Sequence, residues 1–268
     1  MGSDIHEFRL SRSSSLLLDL LRGISAQVVV VGHGLSIFGI TNQLPFMQNS
    51  AVLVFFILSG IVIPYSTFGK KAKNSNFLFP SYFIERFSRI YTGLVPALLF
   101  VVAADFLSKS AWGKYAYPEA FNFQTFLGNL LMLQDYPLKQ FLKSLPFLPA
   151  KLSLFLPAPP TSFGSARPFW TVAVEWWIYL LFGWVVLGSV TREKRRFVFW
   201  LILALLLIVP GINLIGGRGN GLTMVWLLGV LVYIMLAHFS TPLSNRDLGL
   251  LAGMFLLSGF VRLYFTRE

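Results

Sequence analysis

The chain has 268 residues, 55% hydrophobic and only 12% charged, with a mean hydropathy of +0.68. Soluble domains carry about 25% charged residues, so the composition excludes an ordinary soluble fold and describes an all-α polytopic membrane bundle, residues 1–268 forming one domain. The net charge of +11 does not make the chain a nucleic-acid binder, because Lys and Arg collect in the cytoplasmic loops of multi-span proteins and no basic, aromatic-interleaved soluble module is present.

Residues 1–13 form a polar tail with Arg9 and Arg12, placed in the cytoplasm by the positive-inside tendency. The tail is too polar for a signal peptide, so insertion relies on the first helix. Residues 16–40, LLLDLLRGISAQVVVVGHGLSIFGI, are long enough to cross a bilayer, which takes roughly 20 apolar residues. Asp19, Arg22 and His33 interrupt this run. Ionisable groups inside a span are costly and face the bundle interior or a wet cavity. Arg22 and His33 are eleven positions apart, which returns them to within about 20° of each other and roughly 16 Å apart along the axis. Asp19 precedes Arg22 by three and shares its stripe. The face therefore reads as a carboxylate–guanidinium pair near the cytoplasmic end and an imidazole in the outer half.

After an external loop, 41–49, residues 51–65 return inward with Ser59-Gly60 in the middle. Residues 67–89 carry Lys70, Lys71, Lys73, Arg86 and Arg89 and read as a cytoplasmic loop and helix entrance. Residues 90–106 cross outward, with a kink expected at Pro96. The apolar stretch 121–134, about 14 residues, has the length of a re-entrant or interfacial segment. Parity agrees. Residues 169–187 precede Arg192, Lys194, Arg195 and Arg196, so that span ends inside and begins outside, where 90–106 already ended. A Pro-rich outer loop, 137–168, then folds over the mouth. Spans at 197–212, Leu222–Ala237 and 248–264 complete a bundle of seven to eight crossings. The run GGRGNG at 216–221 lacks a following Lys-Ser/Thr and reads as a turn, not a phosphate loop.

Four motifs occur in order: LDLLRGISAQVVVVGH, FFILSG, FIERFSRIY and WTVAVEWWIYLL. Together, over roughly residues 15–187, they resemble the acyltransferase-3 family of multi-span membrane O-acyltransferases. The family's Arg-x10-His pattern falls on Arg22 and His33, its Phe-x-x-Ser-Gly on Phe56, Ser59 and Gly60, its Arg-x-x-Arg on Arg86 and Arg89, and its Trp-(x)4-Glu on Trp170 and Glu175, with Tyr179 one turn on. Two features depart from the family: Thr92 follows RIY where proline is usual, and the C-terminal part is short beside a bundle of about ten spans. The resemblance implies transfer of an acyl group, commonly acetyl, from cytoplasmic acetyl-CoA (or another acyl-CoA) as cosubstrate. The acceptor it implies is a carbohydrate hydroxyl at the outer face, as in exopolysaccharide or lipopolysaccharide, and the location an inner membrane with the N-terminus cytoplasmic.

The residues carry their own chemistry. An unperturbed imidazole titrates near neutrality, so His33 suits a general base, or an acyl carrier, for a hydroxyl attacking a thioester. Gly32 and Gly34 beside it allow close approach. Arg86 and Arg89 are forked, permanent cations suited to the phosphates of coenzyme A, although basic residues at a cytoplasmic helix end are also expected from topology; the resemblance decides for function. Arg22 is either neutralised by Asp19 or positions the thioester or pantetheine arm. Glu175, in an aromatic helix, either orients His33 as a triad carboxylate does or pairs with an arginine of another span. Ser59 and Asp19 are further candidates for substrate contact, as are Trp170, able to stack on a sugar ring, and Tyr179. Ser59-Gly60 also suits a small-residue helix contact, and Trp176 and Trp177 suit packing. His6 and His238 read as solvated or interfacial. With no cysteine and no acid–histidine cluster at ligand spacing, no metal is expected. The rival class is a transporter or flippase for an anionic or acylated glycan, with the same polar face as its path.

Overall fold

A computed structural model of the chain describes residues 12–37, 45–115, 117–136, 160–188, 193–215 and 219–239. The α-helices among them follow from apolar runs. They are α1 (Arg12–Ile37), α2 (Pro45–Lys73), α3 (Phe79–Trp112), α4 (Phe123–Leu130), α5 (Trp170–Leu187), α6 (Glu193–Ile215) and α7 (Leu222–Phe239). No strand occurs among the described residues. Five helices are long and apolar enough to cross a bilayer, and Leu222–Ala237 is a shorter apolar helix. The expected crossing at 248–264, the outer loop over 137–159, the N-terminal tail with His6, and the side chain of His238 lie outside the described residues.

Helix boundaries differ from the sequence reading: α2 begins at Pro45, inside the expected external loop 41–49. Residues 67–89 are not one basic loop: α2 runs on through Lys70 and Lys71 to Lys73, and α3 begins at Phe79 with proline in its first turn. Lysines are favourable at a helix C-terminus, where the macrodipole is negative, and proline suits the first turn because its missing N–H has no intrahelical partner there. The connection is thereby reduced to 74–78. Arg86 and Arg89 consequently sit two to three turns inside α3. That helix has 34 residues, about 51 Å at 1.5 Å per residue, and ends at Gly113, whose φ of 75° closes it in the left-handed conformation.

The stretch 121–134 contributes only the eight-residue α4, about 12 Å long and too short to cross a bilayer. Asn122 caps it, its side-chain oxygen accepting the Thr125 N–H at 2.8 Å.

The described residues group into two compact units, one made of residues up to Lys73 together with those from Met224 onward, the other of Asn74–Thr223. In the first, α1 packs along α2, and α2 meets α7 where Gly60 and Gly229 face each other's backbones. A Cβ on either glycine would overlap the opposite main chain, so this is a small-residue contact of the kind that lets membrane helices approach closely. In the second unit, Leu94, Leu98 and Val101 of α3, Ala173, Trp176 and Leu180 of α5, and Leu206 of α6 form the core with Met132 and Phe163. Large apolar side chains such as Phe100, Phe106, Leu107 and Phe197 remain exposed, which is the surface lipid would cover.

Candidate active site

In the first unit, burial along α1 follows a single stripe. Leu18, Leu21, Arg22, Ser25, Val28, Val29, Gly32 and His33 are buried or half-buried, whereas Leu17, Leu20, Ile24 and Val30 are exposed. The spacing of three and four is one helix face turned to α2. Arg22 and His33 share it, as their eleven-residue separation predicts. A Cβ on Gly32 would overlap the Gln48 side chain of α2, while no described residue stands within 4 Å of the corresponding point on Gly34.

Asp19 does not join them. It is exposed, and no ion pair links it to Arg22 among the described residues. The Arg22 guanidinium instead stands over the Phe55 ring of α2, 5.5 Å from its centroid. The expected carboxylate–guanidinium pair is thus replaced by a cation–π contact. Spacing of three places two residues near each other on a cylinder but does not turn both toward the same neighbour. Ser59 is 1% exposed, its hydroxyl donating to Phe56 O of its own helix at 3.0 Å, beside the Gly60 helix contact.

In the second unit, Arg86 and Arg89 separate. Arg89 is exposed, but Arg86 is buried, at 5% exposure. The carboxylate of Glu85 lies 3.7 Å from Arg86 Nη2, whereas Nε and Nη1 are buried with no hydrogen-bond partner among the described residues. Buried polar groups are nearly always bonded, and a buried charge more so. The face of the Tyr82 ring stands 5.5 Å from the guanidinium. Tyr82 itself is wholly buried and donates its hydroxyl to Tyr179 O of α5 at 3.0 Å. Tyr179 in turn donates its hydroxyl to Glu175 Oε1 in a short hydrogen bond. Three residues picked from the sequence, Arg86, Glu175 and Tyr179, are thereby joined through a fourth, Tyr82. The only sequence signal for it is its position one turn before Arg86 on the same helix face.

Trp176 is buried at the crossing of α3 and α5, with Phe83, Phe87 and Tyr91 edge-on around it, and so is packing. Trp177 donates Nε1 to Met132 O at 2.8 Å. Trp170 is half-buried at the start of α5, its ring against Gly219. There Gly219 and Gly221, with φ of 75° and 82°, form the expected turn. Asn213 fixes it, donating to Gly219 O and accepting from Thr223 N and Oγ1; residues 216–218 lie outside the described residues.

A polar knot not foreseen from the sequence holds the segment around 160–166. Asn129 donates to Thr125 O and Thr161 O and accepts from Phe163 N. Buried Asp105 accepts the Ser165 N–H at 2.8 Å. Gly164, with φ of 49°, lies so close to Asp105 that a Cβ would overlap its carboxylate. Among the described residues no group of three or more His, Asp and Glu side chains is arranged to hold a metal ion.

Comparison with known families gives the class of the chain. A family model described as an acyltransferase domain, acyltransferase-3, matches residues 16–268. The chain belongs to the acyltransferase-3 family. The match runs from the first turns of α1 to the last residue, well beyond the 15–187 covered by the four motifs. No curated protein and no solved structure matches the chain. The protein is thus a multi-pass membrane acyltransferase.

Proposed function

We propose that this acyltransferase moves an acetyl group from cytoplasmic acetyl-CoA to a hydroxyl of a carbohydrate that is exported or displayed at the cell surface. The observation that carries the reading is Arg86: a permanent cation, buried, with two N–H-bearing nitrogens that have no acceptor among the described residues. Burying such a group with these two nitrogens unbonded costs several kcal/mol, which an anionic or strongly polarised ligand oxygen offsets. Phosphate and thioester oxygens of acyl-CoA are ligands of this kind. Exposed Arg89, one turn on, serves the more solvated phosphates.

In this reading His33 is the base and Arg86 grips the acyl-CoA. His33 takes the proton of the acceptor hydroxyl as its oxygen attacks the thioester carbonyl; the C–S bond breaks, and the proton passes to the departing coenzyme A thiolate. Arg22, on the same stripe, stabilises charge on the thioester or its pantetheine arm. Glu175 and Tyr179 act through the chain of contacts that ends on Arg86. Trp170 offers its ring to a sugar.

The test is release of coenzyme A thiol by the purified protein given acetyl-CoA with and without a polysaccharide acceptor. Acceptor-dependent thiol release, with acetyl found in the glycan, is the expected result. An intact thioester under both conditions refutes the reading and fits a carrier.

A further inference from the structure

The geometry points to Tyr82 as a positioning residue that holds Arg86 in the conformation that receives acyl-CoA. This rests on the reading of Arg86 given above but concerns a residue outside the four motif positions. Tyr82 is held on every side. Its ring fills the space left by Gly183 of α5, where a Cβ would overlap ring carbons. Phe79 and Phe182 flank it, with centroids 6.4 Å away in each case. Its hydroxyl is tied to Tyr179 O. The ring therefore has little freedom, and the Arg86 guanidinium stands at its face.

That arrangement has a consequence for binding. A long arginine side chain loses much rotamer freedom when it closes on a ligand. An immobile π-face on the same helix holds the guanidinium electrostatically without occupying any of its N–H donors. The Glu85 carboxylate, 3.7 Å from Nη2, engages one end of the fork, whereas the ring leaves Nε and Nη1 open to a phosphate or thioester oxygen. Tyr82 thus keeps Arg86 both placed and unsatisfied. The aromatic face is the active part; the hydroxyl anchors the ring, which the Gly183 slot also retains.

The experiment is a double-mutant cycle on the purified full chain, read by coenzyme A binding and, separately, by acetyl transfer. Tyr82→Leu is expected to weaken coenzyme A binding and raise the acetyl-CoA KM about tenfold, with kcat changed less than KM. Tyr82→Phe, which keeps the face, should stay within about threefold of wild type. Tyr82→Leu added to Arg86→Ala should cost nothing beyond Arg86→Ala alone. Thermal unfolding of each variant checks that it is folded, and Gly183→Ala, which displaces the ring while leaving the Arg86 and Tyr82 residues themselves unaltered, serves as an independent variant with the Tyr82→Leu phenotype expected. An unchanged KM in Tyr82→Leu, or full additivity with Arg86→Ala, overturns the positioning role. The two readings fail separately: wild-type protein that binds coenzyme A with the expected cycle but transfers no acetyl refutes the transferase reading alone, and transfer with an additive cycle refutes Tyr82 alone. Wild-type protein that neither binds nor transfers refutes both.

Discussion

Arg86 and Arg89 show how three positions along one helix separate two chemically identical side chains. One is buried with unpartnered nitrogens and the other is exposed. A guanidinium presents several donors in a fixed fork, whereas lysine is a compact charge on a flexible stem. Arg86→Lys should therefore raise the acetyl-CoA KM about tenfold, and Arg89→Lys by no more than about twofold, since exposed ion contacts contribute little. Steady-state kinetics of the two variants decide this; equal effects would mean that burial does not distinguish the arginines. The RxxR pattern is legible in the sequence, but the difference between its members is not. It depends on which face of α3 meets α5, and both faces are rich in aromatic residues. The stripe holding Arg22 and His33 was readable for the opposite reason. α1 has one partner-facing side, and the periodicity of its polar residues marks it. Asp19 failed to pair because it lies off that side.

At the scale of elements, helix existence followed from apolar length alone, while the boundaries between α2 and α3 did not. Basic residues that look like a loop are favourable in the last turn of a helix, and a proline in a first turn starts one. The segment after α4 was equally illegible, because its organisation comes from single polar residues reaching across about thirty positions of chain. Asn129 is the chief of these. Its replacement by alanine leaves Thr161 O and Phe163 N without their side-chain partner, and each such buried group costs about 1–3 kcal/mol. Asn129→Ala is therefore expected to destabilise the second unit by about 3 kcal/mol, seen as a lowered unfolding temperature in detergent; Asn122→Ala, which removes only the cap of α4, should cost about 1 kcal/mol. An Asn129→Ala protein as stable as wild type would show that the knot does not hold this segment.

For the whole molecule, the charge distribution makes a topological prediction. Lys70, Lys71 and Lys73 end α2, and Arg196 lies in the first turns of α6, which the positive-inside tendency places in the cytoplasm. The 3₁₀ turn Pro118–Ala120, beyond the far end of α3, then faces outward. The chain contains no cysteine, so single cysteines can be read without background. Lys71→Cys should react with a membrane-impermeant maleimide only in inside-out vesicles, and Glu119→Cys only in right-side-out ones; the reverse pattern would invert the proposed direction of transfer.

The central claim is that an imidazole on α1 activates a hydroxyl against a thioester. It is tested most directly by the rate of labelled acetyl transfer from acetyl-CoA to a polysaccharide acceptor by purified His33→Ala protein, compared with wild type at equal, verified folding. The account predicts that transfer falls to background, by about 10²–10⁴-fold as for loss of a general base, while coenzyme A binding persists. Transfer at the wild-type rate would contradict it.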